Sequence, residues 1–312
     1  RWYTVRLKRN HGISRTVPAV SGTYVVTIGP GCHVMCCDAE TGGFTWGIDL
    51  VREHGAEVPL WYTGQCPLVD GGQAVIAVCG AETLLMGVDL ATGRIAWRTP
   101  NPARLKMSHS SIVTATIGGV RTYVYAAVGG IVGVSAEAVD RGKLLWTSTA
   151  FDATVVAPSP VPLGDGRIFV TAGYGAGSIM LRVNRTGADF VTEVLYRHRP
   201  LEGFACEHQT PILYRGALIG VLPKDAGPKR EELACWDPEG RWRWSSGQTA
   251  RFGLGPYLLA DGKLVVLDED GTLTMAEAST SAYVPLGSVK ILDGPDAWAP
   301  MALVAGRLIA RD

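Results

Sequence analysis

The feature that most constrains this chain is a short segment ending in tryptophan that recurs at a nearly constant interval. Trp46, Trp97 and Trp146 are 51 and 49 residues apart, and Trp244 follows after 98 residues, twice 49. Tyr196 occupies the matching place between the last two. An interval of about 40 to 50 residues is typical of the blades of a β-propeller. The spacing therefore predicts a ring of similar β-sheets.

A second marker recurs independently of the tryptophans. It consists of polar or small residues followed by proline or serine and then by an apolar run. Proline suits the first residue of a strand, where its missing N–H is not yet needed for pairing. The seven copies have a mean spacing of about 47 residues. They are Thr16-Val-Pro18, Gln65-Cys-Pro67, His109-Ser-Ser111, Pro158-Ser-Pro160, Gln209-Thr-Pro211, Leu254-Gly-Pro256 and Trp298-Ala-Pro300.

Each repeat has the pattern of four short strands. In the second repeat we expect strands at Pro67–Val69, Ala74–Cys79, Leu84–Asp89 and Ile95–Arg98. Glycine makes up 39 of the 312 residues and recurs between these runs, where hairpin turns require positive φ. No stretch of twelve or more residues has sustained helical periodicity. The sequence predicts an all-β, seven-bladed propeller of four-stranded blades.

The ends of the chain are expected to meet in the last blade. Trp2–Leu7 alternates like a strand, and Met301–Val304 and Leu308–Ala310 have the pattern of the first two strands of a seventh blade. We expect residues 1–312 to form one domain whose ring is closed by the N-terminal strand. Seven repeats need about 17 residues more than the chain contains, so the third strand of the last blade is expected to be missing.

Charge and cysteine content exclude several classes of protein. The chain has 29 basic and 29 acidic side chains and no apolar run long enough for a membrane helix. Zero net charge gives no support for nucleic-acid binding. The seven cysteines contain no Cys-x-x-Cys pair, which argues against a zinc ribbon or c-type haem.

The motif Asp-x-x-Thr-Gly-x-x-x-Trp is present in full at Asp38–Trp46 and Asp89–Trp97 and in part at Asp237–Trp244. It resembles the tryptophan-docking repeat of the PQQ-like (quinoprotein alcohol dehydrogenase-like) β-propellers. In such a repeat, glycine turns the chain, aspartate binds turn amides and tryptophan packs between blades. The residues assigned to this structural role are Asp38, Gly42, Trp46, Asp89, Gly93, Trp97, Trp146, Asp237, Gly240 and Trp244.

The resemblance implies one of two kinds of protein. Quinoprotein dehydrogenases are larger and hold PQQ and calcium, whereas smaller propellers similar to the lipoprotein of the outer-membrane assembly machinery are cofactor-free scaffolds. The size of this chain favours the second kind, located in the periplasm or at the cell surface. Cys36-Cys37 is similar to the adjacent cysteines above the quinone, but consecutive strand residues point to opposite faces. We therefore expect no cofactor.

Long connections are predicted on one side of the sheets, and turns of two or three residues on the other. We expect a protein partner or a small polar ligand to bind the long-loop side and the axial funnel. The alternative is that these groups only satisfy the loops, with Trp61 and Trp298 as buried plugs. The candidate site residues are Arg15, Trp61, Tyr62, Gln65, His109, Tyr174, Glu207, His208, Gln209, Arg251 and Trp298.

The best metal candidates on this side are His109, His208 and Glu207, with His11 and Cys66 in the same layer. Hydrogen-bonded histidines are the simpler interpretation. A non-catalytic binding scaffold is the favoured hypothesis. The alternative is an enzyme with an axial site, either a quinoprotein dehydrogenase or a metal-assisted enzyme similar to polysaccharide lyases.

Overall fold

The computed structural model describes residues 15–312 of the protein. Strands dominate these residues, and within each sheet the strands that are consecutive in the chain are hydrogen-bonded neighbours. They form six four-stranded sheets and one two-stranded sheet. The predicted all-β fold of four-stranded repeats is confirmed.

The first sheet contains β1 (Ala19–Ser21), β2 (Tyr24–Ile28), β3 (His33–Asp38) and β4 (Phe44–Asp49). The second contains β5 (Leu68–Asp70), β6 (Gln73–Ala77), β7 (Thr83–Asp89) and β8 (Ile95–Pro100). The third contains β9 (Val113–Ile117), β10 (Val120–Ala127), β11 (Gly130–Ser135) and β12 (Leu144–Ser148). The fourth contains β13 (Val161–Pro162), β14 (Arg167–Ala172), β15 (Gly177–Thr186) and β16 (Asp189–His198).

The fifth sheet contains β17 (Ile212–Tyr214), β18 (Ala217–Val221), β19 (Leu233–Trp236) and β20 (Trp242–Ser245). The sixth contains β21 (Tyr257–Ala260), β22 (Lys263–Leu267), β23 (Thr272–Glu277) and β24 (Pro285–Lys290). The seventh is the pair β25 (Ala302–Val304) and β26 (Arg307–Ile309). The two strands expected at the start of the last blade are thus present.

Two short helical segments lie in connections for which we expected only loops. Helix α1 spans Leu50–His54, and its N-terminus is capped by the Asp49 side chain. Gly55 ends it in the left-handed conformation that glycine adopts easily. A single 3₁₀ turn spans Gly227–Lys229. Each is too short to produce the periodicity by which helices are found in a sequence.

The chain divides into two compact units. One runs up to Ile168 and includes Leu181–Val194; the other comprises Phe169–Met180 and Leu195–Asp312. The predicted closing strand Trp2–Leu7 and the metal candidate His11 lie outside the described residues.

In the first unit, a tryptophan from one sheet lies against a glycine in the turn of the next. A Cβ atom added to Gly93 would lie 2.6 Å from Cγ of Trp46, and the indole N–H donates to the Leu90 carbonyl oxygen at 2.8 Å. Trp97 has the same relation to Gly142, where an added Cβ would lie 2.6 Å from the ring. These contacts hold neighbouring sheets at the separation of one indole ring.

A bulge recurs where the tryptophan strand joins its own sheet. The register shifts immediately after the residue that pairs with Trp46, Trp97, Trp146 and Trp244 in turn. A bulge bends the strand and redirects its side chains. In four sheets, therefore, the same β-bulge lies next to the tryptophan and sets the direction of its side chain.

The second unit repeats the arrangement with changes. Tyr196 takes the position of the tryptophan, and a Cβ atom added to Gly240 would lie 3.5 Å from its ring. The indole N–H of Trp244 donates to the Ser279 carbonyl oxygen at 3.1 Å. A smaller ring at Tyr196 thus retains the contact with the following turn.

Aspartates cap the turns of the Asp-to-Trp motif. Oδ1 of Asp38 accepts the Thr41 amide at 2.8 Å and the Thr41 hydroxyl at 2.7 Å. Oδ1 of Asp89 accepts the Thr92 amide and hydroxyl at 2.9 and 2.7 Å. These turns span residues 39–43 and 90–94, and the connection 136–143 is longer still. The expectation that this side has only two- or three-residue turns is wrong, because the aspartate and threonine caps of the motif close five-residue turns.

Replacing Gly93 with alanine tests the contact with Trp46. Gly93 and Gly42 have nearly equal φ values of 69° and 70°, but an added Cβ at Gly42 meets nothing within 4 Å. We expect Gly42→Ala to cost about 1 kcal/mol of unfolding free energy from backbone strain. Gly93→Ala should cost about 1–3 kcal/mol more, because the methyl group collides with the ring. Urea denaturation measures both, and equal costs would show that the ring contact contributes nothing.

Candidate functional site

A strained turn projects from the first unit between the first and second sheets. Trp61 and Tyr62 are both left-handed, with φ of 61° and 72°, which residues with side chains adopt only when neighbours support them. The Tyr62 amide donates to the Pro59 carbonyl oxygen at 2.9 Å, and the Arg15 guanidinium donates to the Trp61 carbonyl oxygen. The turn leaves 37% of Trp61 exposed, so this ring is not a buried plug.

His109 supports this turn from the next connection. The backbone of Leu60 and Tyr62 lies near the imidazole and favours its protonated form, which partly offsets the lowering of its pKa by burial. The ring packs so closely against Gly64 that an added Cβ there would lie 2.8 Å from the Cβ of His109. Burial lowers the pKa of His109, and the nearby Arg15 lowers it further. The packing of His109 against Gly64 therefore supports the conformation of this turn.

Gln65 lies inside the first unit and away from the solvent. It is completely buried; its amide nitrogen donates to the Ala77 carbonyl oxygen at 2.7 Å, and its amide oxygen accepts the Ala77 amide at 3.0 Å. Both polar atoms are thus bonded to one residue of β6. Gln65 therefore fastens the connection that precedes β5 to strand β6.

The segments of the second sequence marker, each of which precedes the first strand of a sheet, are joined by hydrogen bonds from one sheet to the next. The Val17 amide donates to Sγ of Cys66 at 3.2 Å, and the Cys66 amide donates to the Ser111 hydroxyl at 2.9 Å. The Ser111 amide in turn donates to the Ser159 hydroxyl at 3.0 Å. The second sequence marker therefore corresponds to a chain of hydrogen bonds that links the segments preceding the first strands of four sheets.

A cavity of about 170 Å³ opens beside the strained turn. Val58 and Leu60 lie on one side of it, Met107 and His109 on a second, and Val155 on a third. All these residues belong to the first unit.

A second group of predicted residues meets in the second unit. His208 packs edge-to-face on Trp298 with ring centres 5.2 Å apart, and the Gln209 side chain donates to the Trp298 carbonyl oxygen at 3.4 Å. The indole N–H donates to Glu269 at 3.1 Å. Lys224 forms an ion pair with Glu269 at 3.2 Å and lies 5.6 Å from the centre of the Trp298 ring. These contacts hold Trp298 half-buried.

Glu207 lies at the edge of this second group. Its carboxylate accepts the Lys224 amide at 3.3 Å, and an added Cβ at Gly173 would lie 2.2 Å from its Cγ. Burial raises the pKa of Glu207, and the negative charge of Asp225 adds to the increase. The carboxyl group therefore keeps a proton to a higher pH than a glutamate in water.

The remaining two candidates in the second unit differ in character. Tyr174 is 54% exposed and lies on a loop whose Gly175 amide donates to Asp225 at 2.6 Å. Arg251 donates to the carbonyl oxygens of Gln248, Arg230 and Pro228 at 2.8–3.2 Å. The guanidinium thus fastens two loops together, which is a structural role.

The metal candidates fall in different units. His109 belongs to the first unit, and Glu207 and His208 belong to the second. Within the part of the chain that the structure describes, no group of three or more His, Cys, Asp or Glu side chains could hold a metal ion.

Sequence reasoning missed two parts of these groups. Lys224 and Glu269 join around Trp298, although they lie on separate connections. Leu60 and Met107 line the cavity without belonging to any motif. A single sequence carries no signal for such pairs, because nothing local in it records which loops will touch.

Comparison with known proteins places the chain in a family. The family model for outer membrane protein assembly factor BamB matches residues 2–189, which is more than half of the sequence. The chain belongs to the BamB family. No curated protein sequence matches it. At the level of the family, this supports a propeller that serves protein assembly.

Solved structures agree on the fold. The crystal structure of BamB from Moraxella catarrhalis is 12% identical, with a TM-score of 0.61, over 95% of this chain and 79% of that one. The quinohemoprotein alcohol dehydrogenase ADHIIG from Pseudomonas putida HK5 is 15% identical, with a TM-score of 0.57, over 93% of this chain and 61% of that one. Both support the predicted PQQ-like propeller fold.

Substituting His109 tests the electrostatics of the strained turn. Because the folded state lowers its pKa, the unfolded chain binds the proton first as the pH falls below about 6.5. Protonation of His109 should therefore lower the free energy of unfolding as the pH falls from 7.5 towards 5. We expect His109→Gln to lose less unfolding free energy over this window than the unmodified protein. Urea denaturation at several pH values measures the difference, and parallel curves would contradict it.

Proposed function

We propose that the chain is a non-catalytic scaffold of outer membrane protein assembly that binds a protein partner through the long-loop side of its sheets. The family match supports the assembly role. The long connections, such as 50–67 and 101–112, supply the material for recognition. The periplasm, at the outer membrane, is the compartment that fits this role. Among residues 15–312, no helix is long and apolar enough to cross a bilayer.

The observation that carries the proposal is a set of exposed apolar side chains on the rigid segment that follows β4. Leu60 is 63% exposed, and Val51, Val58 and Trp61 are each more than a third exposed. A neighbouring cluster of exposed apolar side chains, held by fixed backbone, is typical of protein-binding surfaces. The Arg15 guanidinium donates to the Trp61 carbonyl oxygen and His109 packs against Gly64, so little flexibility is lost when a partner binds.

A charge at Leu60 tests the surface. Leu60→Asp should weaken partner binding by about 2 kcal/mol or more, because a desolvated carboxylate would replace an apolar contact. In the organism that encodes the chain, we expect deletion of its gene to reduce the folded β-barrel proteins of the outer membrane. The unmodified gene should restore them, and Leu60→Asp should not. Folded barrels are measured by their altered gel mobility before heating.

Val139→Asp is the matched control. Val139 is 93% exposed in the first unit, on a connection at the opposite end of the strands, so a charge there should restore assembly fully. Unchanged barrel levels after gene deletion would refute the assembly role. Full restoration by Leu60→Asp would refute the binding surface while leaving that role intact.

We propose that the protein functions without a quinone. Cys36 and Cys37 are consecutive residues of β3, so their side chains leave the strand on opposite faces. Both thiols are free, and Cys36 is completely buried, with its Sγ 3.8 Å from the Leu90 carbonyl oxygen. These positions support a protein that works without the adjacent-cysteine pair of the quinoprotein dehydrogenases.

Titration with PQQ and calcium tests this second part. We expect no saturable heat by calorimetry and no shift of the quinone absorbance. Tight 1:1 binding would contradict the proposal and favour a dehydrogenase. Calcium alone and PQQ alone serve as controls for binding that does not need both.

A further inference from the structure

Two thiols and a thioether come together in the interior of the first unit. Cys32, Cys79 and Met107 are all buried and belong to one hydrophobic cluster. Sγ of Cys32 lies 3.9 Å from Sδ of Met107. Burial raises the pKa of Cys79 to about 12, and the charge of Cys32 adds to the increase, so the two thiols lie within electrostatic reach of each other. Three separate connections thus bring their sulfur atoms to one place.

The backbone holds both cysteines in an unusual conformation. Cys32 and Cys79 have φ values of 64° and 50°, in the left-handed region that residues with side chains adopt only when the surroundings impose it. The Cys32 amide donates to the Gly29 carbonyl oxygen, and the Cys79 amide donates to the Leu84 carbonyl oxygen, both at 3.0 Å. The fold therefore sets the positions of the two thiols.

A hydroxyl group lies beside each thiol. Oγ1 of Thr63 is 2.9 Å from Sγ of Cys32, and both residues are buried. The Tyr125 hydroxyl accepts the amide and the hydroxyl of Ser108 at 2.9 and 3.1 Å, and it lies near Cys79, whose thiolate it favours. Metal ions bind the thiolate, and hydrogen-bonding groups around a ligand strengthen the site. Each cysteine thus has a neighbour that stabilises its metal-binding form.

The sulfur atoms have the spacing and the chemistry of ligands to one soft ion. Two sulfur atoms that each bind a metal at about 2.3 Å are 3.9 Å apart when the angle at the metal is about 115°. Thiolate and thioether sulfur select Cu(I) among the common metal ions. Structural zinc sites use four cysteine or histidine ligands, and among residues 15–312 no group of that composition is present.

The cavity beside the strained turn leads to these atoms. Its volume is about 170 Å³, and Met107 lies in its wall. Because Met107 contacts Cys32, an ion that enters the cavity reaches the thioether first and the thiol next. The site therefore has an entry path from the solvent.

We propose that Cys32, Cys79 and Met107 bind one copper(I) ion. The ion replaces thiol protons, which pass to the solvent. Copper remains Cu(I), so no electron is transferred. Met107 supplies a third soft ligand without adding charge to a buried site. This inference is independent of the proposed function.

Titration of the reduced full chain under nitrogen tests the site. Cu(I) is supplied together with the chelator bathocuproine disulfonate, whose coloured copper complex reports the metal that the protein does not take. We expect one equivalent per chain to be withheld from the chelator. A second readout is the methyl resonance of Met107 in protein labelled with ¹³C-methyl methionine, assigned with Met107→Leu. Diamagnetic Ag(I), used as a probe for Cu(I), should shift this resonance until one equivalent is bound.

Variants separate the ligands from their neighbours. Cys32→Ala and Cys79→Ala should each abolish the tight equivalent, and Met107→Leu, which nearly conserves volume, should weaken it. Thr63→Val should weaken it about 10–100-fold, and Thr63→Ser should retain it. Cys206→Ala is the matched control, because Cys206 is a buried thiol of the second unit, and it should change neither readout. If the alanine variants do not fold, Met107→Leu and Thr63→Val still decide the question.

Several outcomes would overturn the inference. They are no equivalent withheld from the chelator, no shift of the Met107 resonance with Ag(I), or tight binding that persists in folded Cys32→Ala. Cys37 and Cys66 are less buried than the proposed ligands. Loss of the tight equivalent in the double variant Cys37→Ser and Cys66→Ser would assign the metal to those thiols instead. Tighter binding of Zn(II) than of Cu(I) would refute the choice of ion.

Discussion

The contact between a tryptophan ring and a glycine in the following sheet is the interaction on which the first unit depends. Gly93 and Gly142 leave no room for a side chain beneath Trp46 and Trp97. Because the ring touches the backbone itself, the separation of neighbouring sheets is set by the thickness of an indole. The wide turn capped by Asp89 presents Gly93 to the Trp46 ring.

A second set of contacts fixes the opposite end of the same strands. The ladder from Val17 through Cys66 and Ser111 to Ser159 joins each sheet entrance to the next. Sheets held at both ends give the connections between them a rigid base. A rigid base is what allows a strained turn such as Trp61-Tyr62 to persist, because the cost of its backbone conformation is offset by surrounding packing.

The two groups of predicted site residues differ in what they offer a partner. In the second unit, Lys224, Glu269 and Trp298 satisfy one another. In the first unit, Leu60 stays exposed and lines a cavity beside the strained turn. A partner is recognised by side chains that are not already buried or bonded within the folded protein. This difference supports the proposal that a partner binds the first unit through exposed apolar side chains.

The sequence by itself determined the class of fold and the positions of its strands. The strands of the second sheet lie within one or two residues of their predicted bounds, because alternation, glycine turns and the Asp-to-Trp motif are all local signals. The tertiary structure decided which loop residues are available. Gln65 is buried and Arg251 is bonded to three carbonyl oxygens, whereas Leu60 is exposed. The physical reason is that exposure and pairing of a loop side chain depend on connections distant in sequence, and these meet only after the sheets have packed.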